Sequence, residues 1–572
     1  MFRKRRGGVS RPMRGHRMAL AAFAAAAVQV LAGCAQTAAG DGDGSTAPAQ
    51  VELPVAFALK RDAEGLFSAA MERATPAGPK FRQWLSGEQI ADAYGAPADD
   101  AARVLAEARK AGFVGTLDPT RGVISGSMTA AEAKRLLGVK LRVAPLGESL
   151  LVQPESTPQV PQRWRSTVTA VLGLTLQLPG TASSAAAPAA TSMTASPSRS
   201  LTCAPAPAAS GLMREYYGLT PLSEAGKGGR GVRIALLQID RTSQVALEQI
   251  RRCYGVTIPV VDTIKVDATA DAVFGSDTEE STLDIAAASL VAPNLEGITT
   301  YQFNPYSTIA FPLVAAVGDA LAPAGGPQII STSIGYCRDQ IDAATVATSE
   351  WALAAAAAAG ITVLAAAGDT GSSACAPQDT AQASQYPASS ALVTAIGGTQ
   401  FTFADGAISG EVVWNATPAI RNAGGGTPES KHHRPHYQDG IGLPGNQRVV
   451  PDVAFVAAPA TFGPIPVCDA AGGCTLKSVG GTSATSPGVA GSVSEVMDAI
   501  ATPDDAPFRL GLLNPTIYAM AGQPEGKSAF IDVTSGTNDL YDVGCCTAAP
   551  GFDGATGWGS MRFGEFLRLL PR

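Results

Sequence analysis

The chain has 572 residues, 46% of them hydrophobic and 16% charged, with 62 glycines, 40 prolines and a formal net charge of −7. That is enough apolar material for a large core and too little charge for an extended disordered protein, and the glycine and proline content speaks for many turns rather than a helical bundle. The acidic balance lacks the basic field that nucleic-acid binding requires.

Residues 1–17, MFRKRRGGVSRPMRGHR, carry seven basic side chains and no acidic one, and residues 18–33, MALAAFAAAAVQVLAG, form a short apolar run. This is the order of a signal peptide, and the run is short for a membrane span. It ends Leu31-Ala32-Gly33-Cys34, which resembles a bacterial lipoprotein signal. The expected product is exported and lipid-anchored at Cys34 to the cell envelope, at the outer membrane where there is one, or released by later processing. Removal of the seven positive charges takes the net charge from −7 to about −14. Residues 34–50 read as a flexible tether.

Residues 51–160 read as a small α/β domain. VELPVAFALK alternates like a strand, and DAEGLFSAAMERAT, DAARVLAEARKAGF and MTAAEAKRLLGV read as helices, the last begun by Thr129 as a cap. Residues 161–202, rich in Ala, Ser, Thr and Pro, read as a low-complexity, cleavable linker. The large domain, 203–572, opens with GRGVRIALLQI, and QIISTSIG, GITVLAAAG and ALVTAIGG repeat its form with Ala-rich helical sequence between. Short β-branched runs alternating with helices predict a parallel sheet covered by helices on both faces, with functional residues at the strand ends.

Eight cysteines follow Cys34: Cys203, Cys253, Cys337, Cys375, Cys468, Cys474, Cys545 and Cys546. Export and the even count predict disulfides. Spacing assigns only Cys468–Cys474, and the adjacent Cys545 and Cys546 are expected to bond elsewhere.

The chemistry starts at Gly480-Gly481-Thr482-Ser483-Ala484-Thr485-Ser486-Pro487. Ser483 sits at a loop–helix junction, the place of a helix cap or of an exposed nucleophile. A nucleophile needs a base. The histidines are His16, in the signal, and His432, His433 and His436, all in one turn-rich stretch. An ordinary histidine-dependent triad is therefore disfavoured, although it stands as a rival. Carboxylates remain. Residues 277–292, DTEESTLDIAAASLVA, read as a helix on which Glu280 and Asp284, four apart, project from one face. They are either a solvated acidic face, with Asp277 and Glu279, or a pair that shares a proton in a cleft. Asp369, in Ala367-Gly368-Asp369-Thr370-Gly371, follows a strand; it is a turn-former or, protonated, a donor to an oxyanion.

These motifs together resemble the sedolisin, or serine-carboxyl peptidase, family of the kumamolisin-like type. GGTSATSP, Glu280-Ser281-Thr282-Leu283-Asp284, the Gly-Asp-Thr-Gly at Asp369, YPASSALVTAIGGT, GEVVWN, the Gly424–Gly426 triplet and RVVPDV occur in family order. PAGPKFRQWLSGEQIADAYG resembles the family's pro-kumamolisin activation domain. The resemblance implies a subtilisin-like parallel sheet preceded by a small α/β prodomain that acts as an intramolecular inhibitor. It implies Ser483 as nucleophile, Glu280 as general base, Asp284 as its orienting partner and Asp369 as oxyanion donor. It further implies one structural calcium ion held by Asp532 and Asp553 and by carbonyls of Val533, Ala549 and Gly551. The implied activity is hydrolysis of protein or peptide substrates at acidic pH by a monomer, as an endopeptidase. Tripeptidyl-peptidase action and a non-catalytic surface lipoprotein of the same fold are the alternatives. Two departures stand out: Ile334 where the family often has an aromatic that extends the carboxylate network, and His433-Arg434-Pro435-His436 where an aromatic is usual. Asp240 lies at a subtilase-like strand end but has no histidine partner to make it catalytic.

Overall fold

A computed structural model describes residues 45–146, 149–179, 209–267, 278–322, 325–417, 422–462, 464–468, 473–502 and 508–571. The signal peptide, Cys34, Cys203, Asp277 and most of the linker lie outside the described residues. Among the described residues no helix is long and apolar enough to cross a membrane.

The N-terminal domain holds two four-stranded antiparallel sheets and four helices. The helices start where local chemistry says they should. Asp62 accepts the Gly65 N–H at the head of Ala63–Ala74, and Ser86 and Thr129 close capping boxes with Gln89 and Glu132. The central strand Glu52–Leu59 is buried almost end to end rather than on alternate residues. Its two faces meet different cores: Leu53, Val55, Phe57 and Leu59 join the domain's own core around Phe113 and Trp164, while the small Ala56 and Ala58 face the large domain.

The tether and linker boundaries need correction. Ser45–Thr46 pairs with Leu141–Leu146. Residues 161–179 belong to the domain: Trp164 is fully buried with its ring 5.3 Å from that of Phe57, Val168–Gly173 pairs with the central strand, and Leu176–Pro179 pairs with Ser149–Pro154. The β-rich run VTAVLGLTLQLP supplies these strands, and its signal is lost when composition is averaged over the Ala- and Ser-rich residues that follow it.

The large domain is built on a ten-stranded sheet. Its neighbours run 261–265, 297–302, 233–238, 329–332, 362–366, 394–404, 453–456, 560–561 and 530–531, parallel up to 560–561, with 530–531 antiparallel and Ala407–Val413 pairing antiparallel to 394–404. The strand Arg233–Gln238 shows why its run is apolar throughout. Ile234 and Leu236 pack with the helices Glu279–Val291 and Thr482–Ile500, and Ala235 and Leu237 with Ala310–Ala320 and Ala343–Ala358 on the other face. The N-terminal domain packs on that second face, chiefly helix Ala63–Ala74 against Ala343–Ala358.

Cys468–Cys474 forms as spacing indicates, and Cys337 pairs with Cys375. Cys545 and Cys546 pair with each other, not with distant partners. Cys546 is in the left-handed region at φ 67°, and the remaining described cysteines are already disulfide-bonded.

Candidate active site

Three strands of the large sheet end at one place. Gln238 ends and Asp240 follows Arg233–Gln238, Ser333 follows Ile329–Thr332, and Asp369 follows Thr362–Ala366. The helices Glu279–Val291 and Thr482–Ile500 pack against each other over the same strands. Small residues set their separation: a β-carbon on Gly491 would stand 2.4 Å from Val291 Cγ2 and 2.6 Å from the Ala288 carbonyl oxygen.

The sequence places Ser483 at a loop–helix junction, and it is the second residue of helix Thr482–Ile500, partly exposed. Amides of a first helical turn have no acceptor within the helix and collect positive potential. Gly481 makes the approach possible. Its φ is +128°, and a β-carbon there would lie 2.4 Å from Asp369 Oδ2. Asp369 is partly exposed, and desolvation of its carboxyl pushes it up from the ordinary value, against hydrogen bonds from Thr482 that favour the anion. Both Thr482 bonds, from N–H at 2.7 Å and from Oγ1 at 2.9 Å, go to Oδ1. A proton on Asp369 therefore belongs on Oδ2, beside Gly481 and one residue from the serine turn.

Glu280 and Asp284 are not a solvated face: Glu280 is 7% exposed and Asp284 0%. Glu279 is partly covered and pairs with Lys477 at 2.6 Å. Asp284 accepts from Gln238 Nε2 through Oδ2 at 2.6 Å. The Ser333 hydroxyl oxygen lies 2.9 Å from Asp284 Oδ1, 3.0 Å from Oδ2 and 3.0 Å from the Ser483 carbonyl oxygen. One hydroxyl has one proton. If Asp284 carries a proton on Oδ1 and donates to Ser333, Ser333 is free to donate to the Ser483 carbonyl, and every contact is satisfied. Burial first, and then the neighbouring Glu280 charge, push the Asp284 carboxyl well above the usual range, outweighing the bonds from Ser333 and Gln238.

Asp240 is the residue that sequence reasoning undervalued. It is buried and accepts the Glu280 N–H at 2.8 Å and the Ser281 N–H at 2.9 Å, capping from another element the helix that carries Glu280 and Asp284. Thr278, the N-cap residue of that helix, is turned to the backbone of Cys468 instead, which leaves the first-turn amides to Asp240, a switch that the sequence does not signal. Gln238 and Ser333 were likewise missed. Ile334, at the family's aromatic position, is 3% exposed in the core, and these two residues serve Asp284 instead.

His433 and His436 stay on the surface. His433 ends a hairpin strand opposite Gln447, and His436 pairs with Asp439 at 3.2 Å, fully exposed. The side chain of His432 lies outside the described residues.

At the C-terminal end, two carboxylates turn to one loop. Gly551 N–H donates to Asp532 Oδ2 at 2.9 Å and Ala549 N–H to Asp553 Oδ2 at 3.0 Å. Burial pushes the Asp553 carboxyl up despite four bonds from Ala549, Ala555 and Thr556. Gly551 is at φ +86°, whereas Ala549 has an ordinary negative φ, so alanine there causes no strain. Among the described residues no group of three or more His, Cys, Asp or Glu gathers as a metal site.

Known proteins resemble this chain over most of its length. A family model, "Pro-kumamolisin, activation domain", matches residues 40–176. The chain is 32% identical over 547 residues to kumamolisin from Bacillus sp. (strain MN-32), covering 91% of this chain and 92% of that protein. It is 28% identical over 259 residues to tripeptidyl-peptidase 1 of Homo sapiens, covering 43% of each. A solved structure of Pseudomonas sedolisin, a serine-carboxyl proteinase complexed with two molecules of pseudo-iodotyrostatin, superposes with a TM-score of 0.52 at 24% identity, covering 64% of this chain and 98% of that one, a likeness of fold. The chain belongs to the kumamolisin–sedolisin family of serine-carboxyl peptidases and carries that family's activation domain at its N-terminal end.

Proposed function

We propose that the protein is the precursor of an endopeptidase active at acidic pH, in which Ser483 attacks the scissile carbonyl and Glu280 accepts its proton. The observation that carries this reading is the Ser333 hydroxyl, which joins the Asp284 carboxyl to the backbone of Ser483 and so ties the carboxylate pair to the serine. Asp284, holding a proton, orients Glu280 and shares that proton as charge develops. Protonated Asp369 donates from Oδ2 to the oxyanion together with a first-turn amide of the serine helix. Glu280 then returns its proton to the leaving amine, an acyl-enzyme remains on Ser483, and water, activated by the same Glu280, releases it.

The endopeptidase reading follows the kumamolisin likeness, which spans the chain, whereas the tripeptidyl-peptidase likeness covers 43% of it. A peptide with a blocked amino terminus decides between them. The processed enzyme is expected to cut it at an internal bond; an enzyme that ignores blocked peptides and removes tripeptides from free amino termini is a tripeptidyl-peptidase. The activation domain is proposed to cover the cleft until the linker is cut.

Asp532 and Asp553, with carbonyls of Val533, Ala549 and Gly551, are proposed to hold one calcium ion. The donor set is hard oxygen, and a nearly buried Asp553 facing the same loop as Asp532 suits a cation. A bound ion supplies charge neutralisation and ties the C-terminal loop to the sheet, with no part in the acyl transfer. At about 100 times its dissociation constant a ligand adds roughly 2.7 kcal/mol. Chelation is expected to lower the melting temperature by about 3 °C, restored by calcium. A melting curve indifferent to both chelator and calcium refutes the site.

A further inference from the structure

The two domains meet through two tryptophan–glycine contacts that point in opposite directions. From the activation domain, Trp84, in the turn between the helices Ala63–Ala74 and Gly87–Tyr94, lies across Gly360 and Gly511 of the peptidase domain. A β-carbon on Gly360 would stand 2.6 Å from the indole Cδ2, and one on Gly511 2.6 Å from Cη2. The slot is a defined structure: the Gly511 N–H donates to the Gly360 carbonyl at 2.9 Å, and Thr362 Oγ1 donates to the Gly511 carbonyl at 2.8 Å. Beside it, the Leu85 N–H donates to the Ala358 carbonyl at 3.0 Å and Arg82 Nη1 to the Pro571 carbonyl at 2.7 Å.

The second contact runs the other way. Trp351, on helix Ala343–Ala358, enters a loop of the activation domain so closely that a β-carbon on Gly122 would lie 1.9 Å from its Nε1. Its Nε1–H donates to Thr120 Oγ1 at 2.8 Å. Arg61 lies 5.2 Å above the ring and donates to the Ala347 carbonyl at 3.0 Å. Asp118, partly exposed, holds the receiving loop, accepting from the N–H groups of Thr120, Gly122 and Val123. Trp351 is 2% exposed with the activation domain in place. Along the helix direction Trp351 and Gly360 are about 13 Å apart, so the two contacts are separate holds.

Neither contact touches the catalytic residues. Gly360 lies before strand Thr362–Ala366 and Asp369 after it, so the slot is at the opposite end of that strand from the candidate active site. We infer that these reciprocal contacts form a lock that holds the activation domain on the peptidase domain independently of the covalent linker, so that the domain stays bound and the enzyme stays latent after the linker is cut. The surface of the mature enzyme, Trp351 plus the Gly360–Gly511 slot, recognises an activation domain that offers an aromatic side chain at position 84 and no side chain at position 122. Indole groups seated in fitted pockets dominate the energy of such interfaces. This rests on the reading above that the activation domain covers the cleft.

The experiment uses the full-length precursor. It is left in acid until the linker is cut, returned to neutral pH and followed by gel filtration and by dilution to find the dissociation constant of the two pieces. The wild-type pieces are expected to co-elute, and peptide hydrolysis, assayed at the acidic optimum, to appear only on dilution. Trp84→Ala is expected to raise the dissociation constant at least about 30-fold, which is about 2 kcal/mol at 1.4 kcal/mol per tenfold. Trp84→Phe, which keeps an aromatic face, is expected to raise it about tenfold and serves if the alanine precursor does not fold. The mature enzyme released from these variants has the wild-type sequence, so its kcat/KM once free is unchanged. The inference is overturned if wild-type pieces separate as soon as the linker is cut, or if the Trp84 variants hold together to the same dilution as wild type. Failure of the underlying reading looks different: the uncut wild-type precursor would already hydrolyse peptides at the full rate.

Discussion

Replacing Ser483 by alanine is expected to leave a folded precursor that does not cut its own linker in acid, with peptide-bond hydrolysis reduced at least about 10⁴-fold. Loss of the attacking oxygen removes acyl-enzyme formation altogether, and in serine peptidases what is left is the contribution of binding and of the oxyanion site. The substitution is structurally mild. Ser483 is partly exposed, and the bond that ties its residue to the carboxylate pair comes from Ser333 to its backbone carbonyl, which alanine retains. The measurement is intact mass after acid incubation of host-protease-free precursor, with a melting curve to show the fold. Processing of the alanine variant at the wild-type rate would remove Ser483 from the mechanism.

Asp369 gives the second large effect, and two substitutions separate its functions. Alanine removes the donor at Oδ2 and the acceptor that holds Thr482, and kcat is expected to fall by about 10²–10³-fold with KM little changed, as for loss of one oxyanion donor. Asparagine keeps both: its carbonyl oxygen takes the two Thr482 bonds now made to Oδ1, and its amide N–H takes the place of the protonated Oδ2. Asp369→Asn is therefore expected to retain most of kcat and to lose activity less steeply as pH rises, since an amide does not ionise. An asparagine variant as impaired as alanine would mean that Asp369 acts through something other than a donated hydrogen bond.

Much of this arrangement is legible in the sequence because it is local. Glu280 and Asp284 share a helix face by spacing alone, Ser483 follows a double glycine at a helix start, and Asp369 follows an apolar strand. What spacing cannot show is which elements meet. Gln238 and Asp240 come from one strand end and Ser333 from the neighbouring one, and each acts on the carboxylate helix only because a parallel sheet gathers those ends together. The boundary at 161 failed for a related reason: Val168–Gly173 becomes a strand by pairing with residues more than a hundred positions earlier. Trp84 and Trp351 look like ordinary apolar residues until each is found against a glycine of the other domain.

The central claim, that carboxylates and not histidine activate Ser483, is tested most directly by the pH dependence of kcat/KM in the processed enzyme. Asp284 and Asp369 are both raised from the usual carboxylate range, each chiefly by burial. The active form keeps one proton on the Glu280–Asp284 pair and one on Asp369. That form is present below the raised values and is lost as pH rises through them; on the acid side it is lost when the pair takes up its second proton. The predicted profile is a bell centred below neutrality that is retained when His432, His433 and His436 are replaced together. A bell centred at or above neutral pH, or activity that disappears with those histidines, would contradict it.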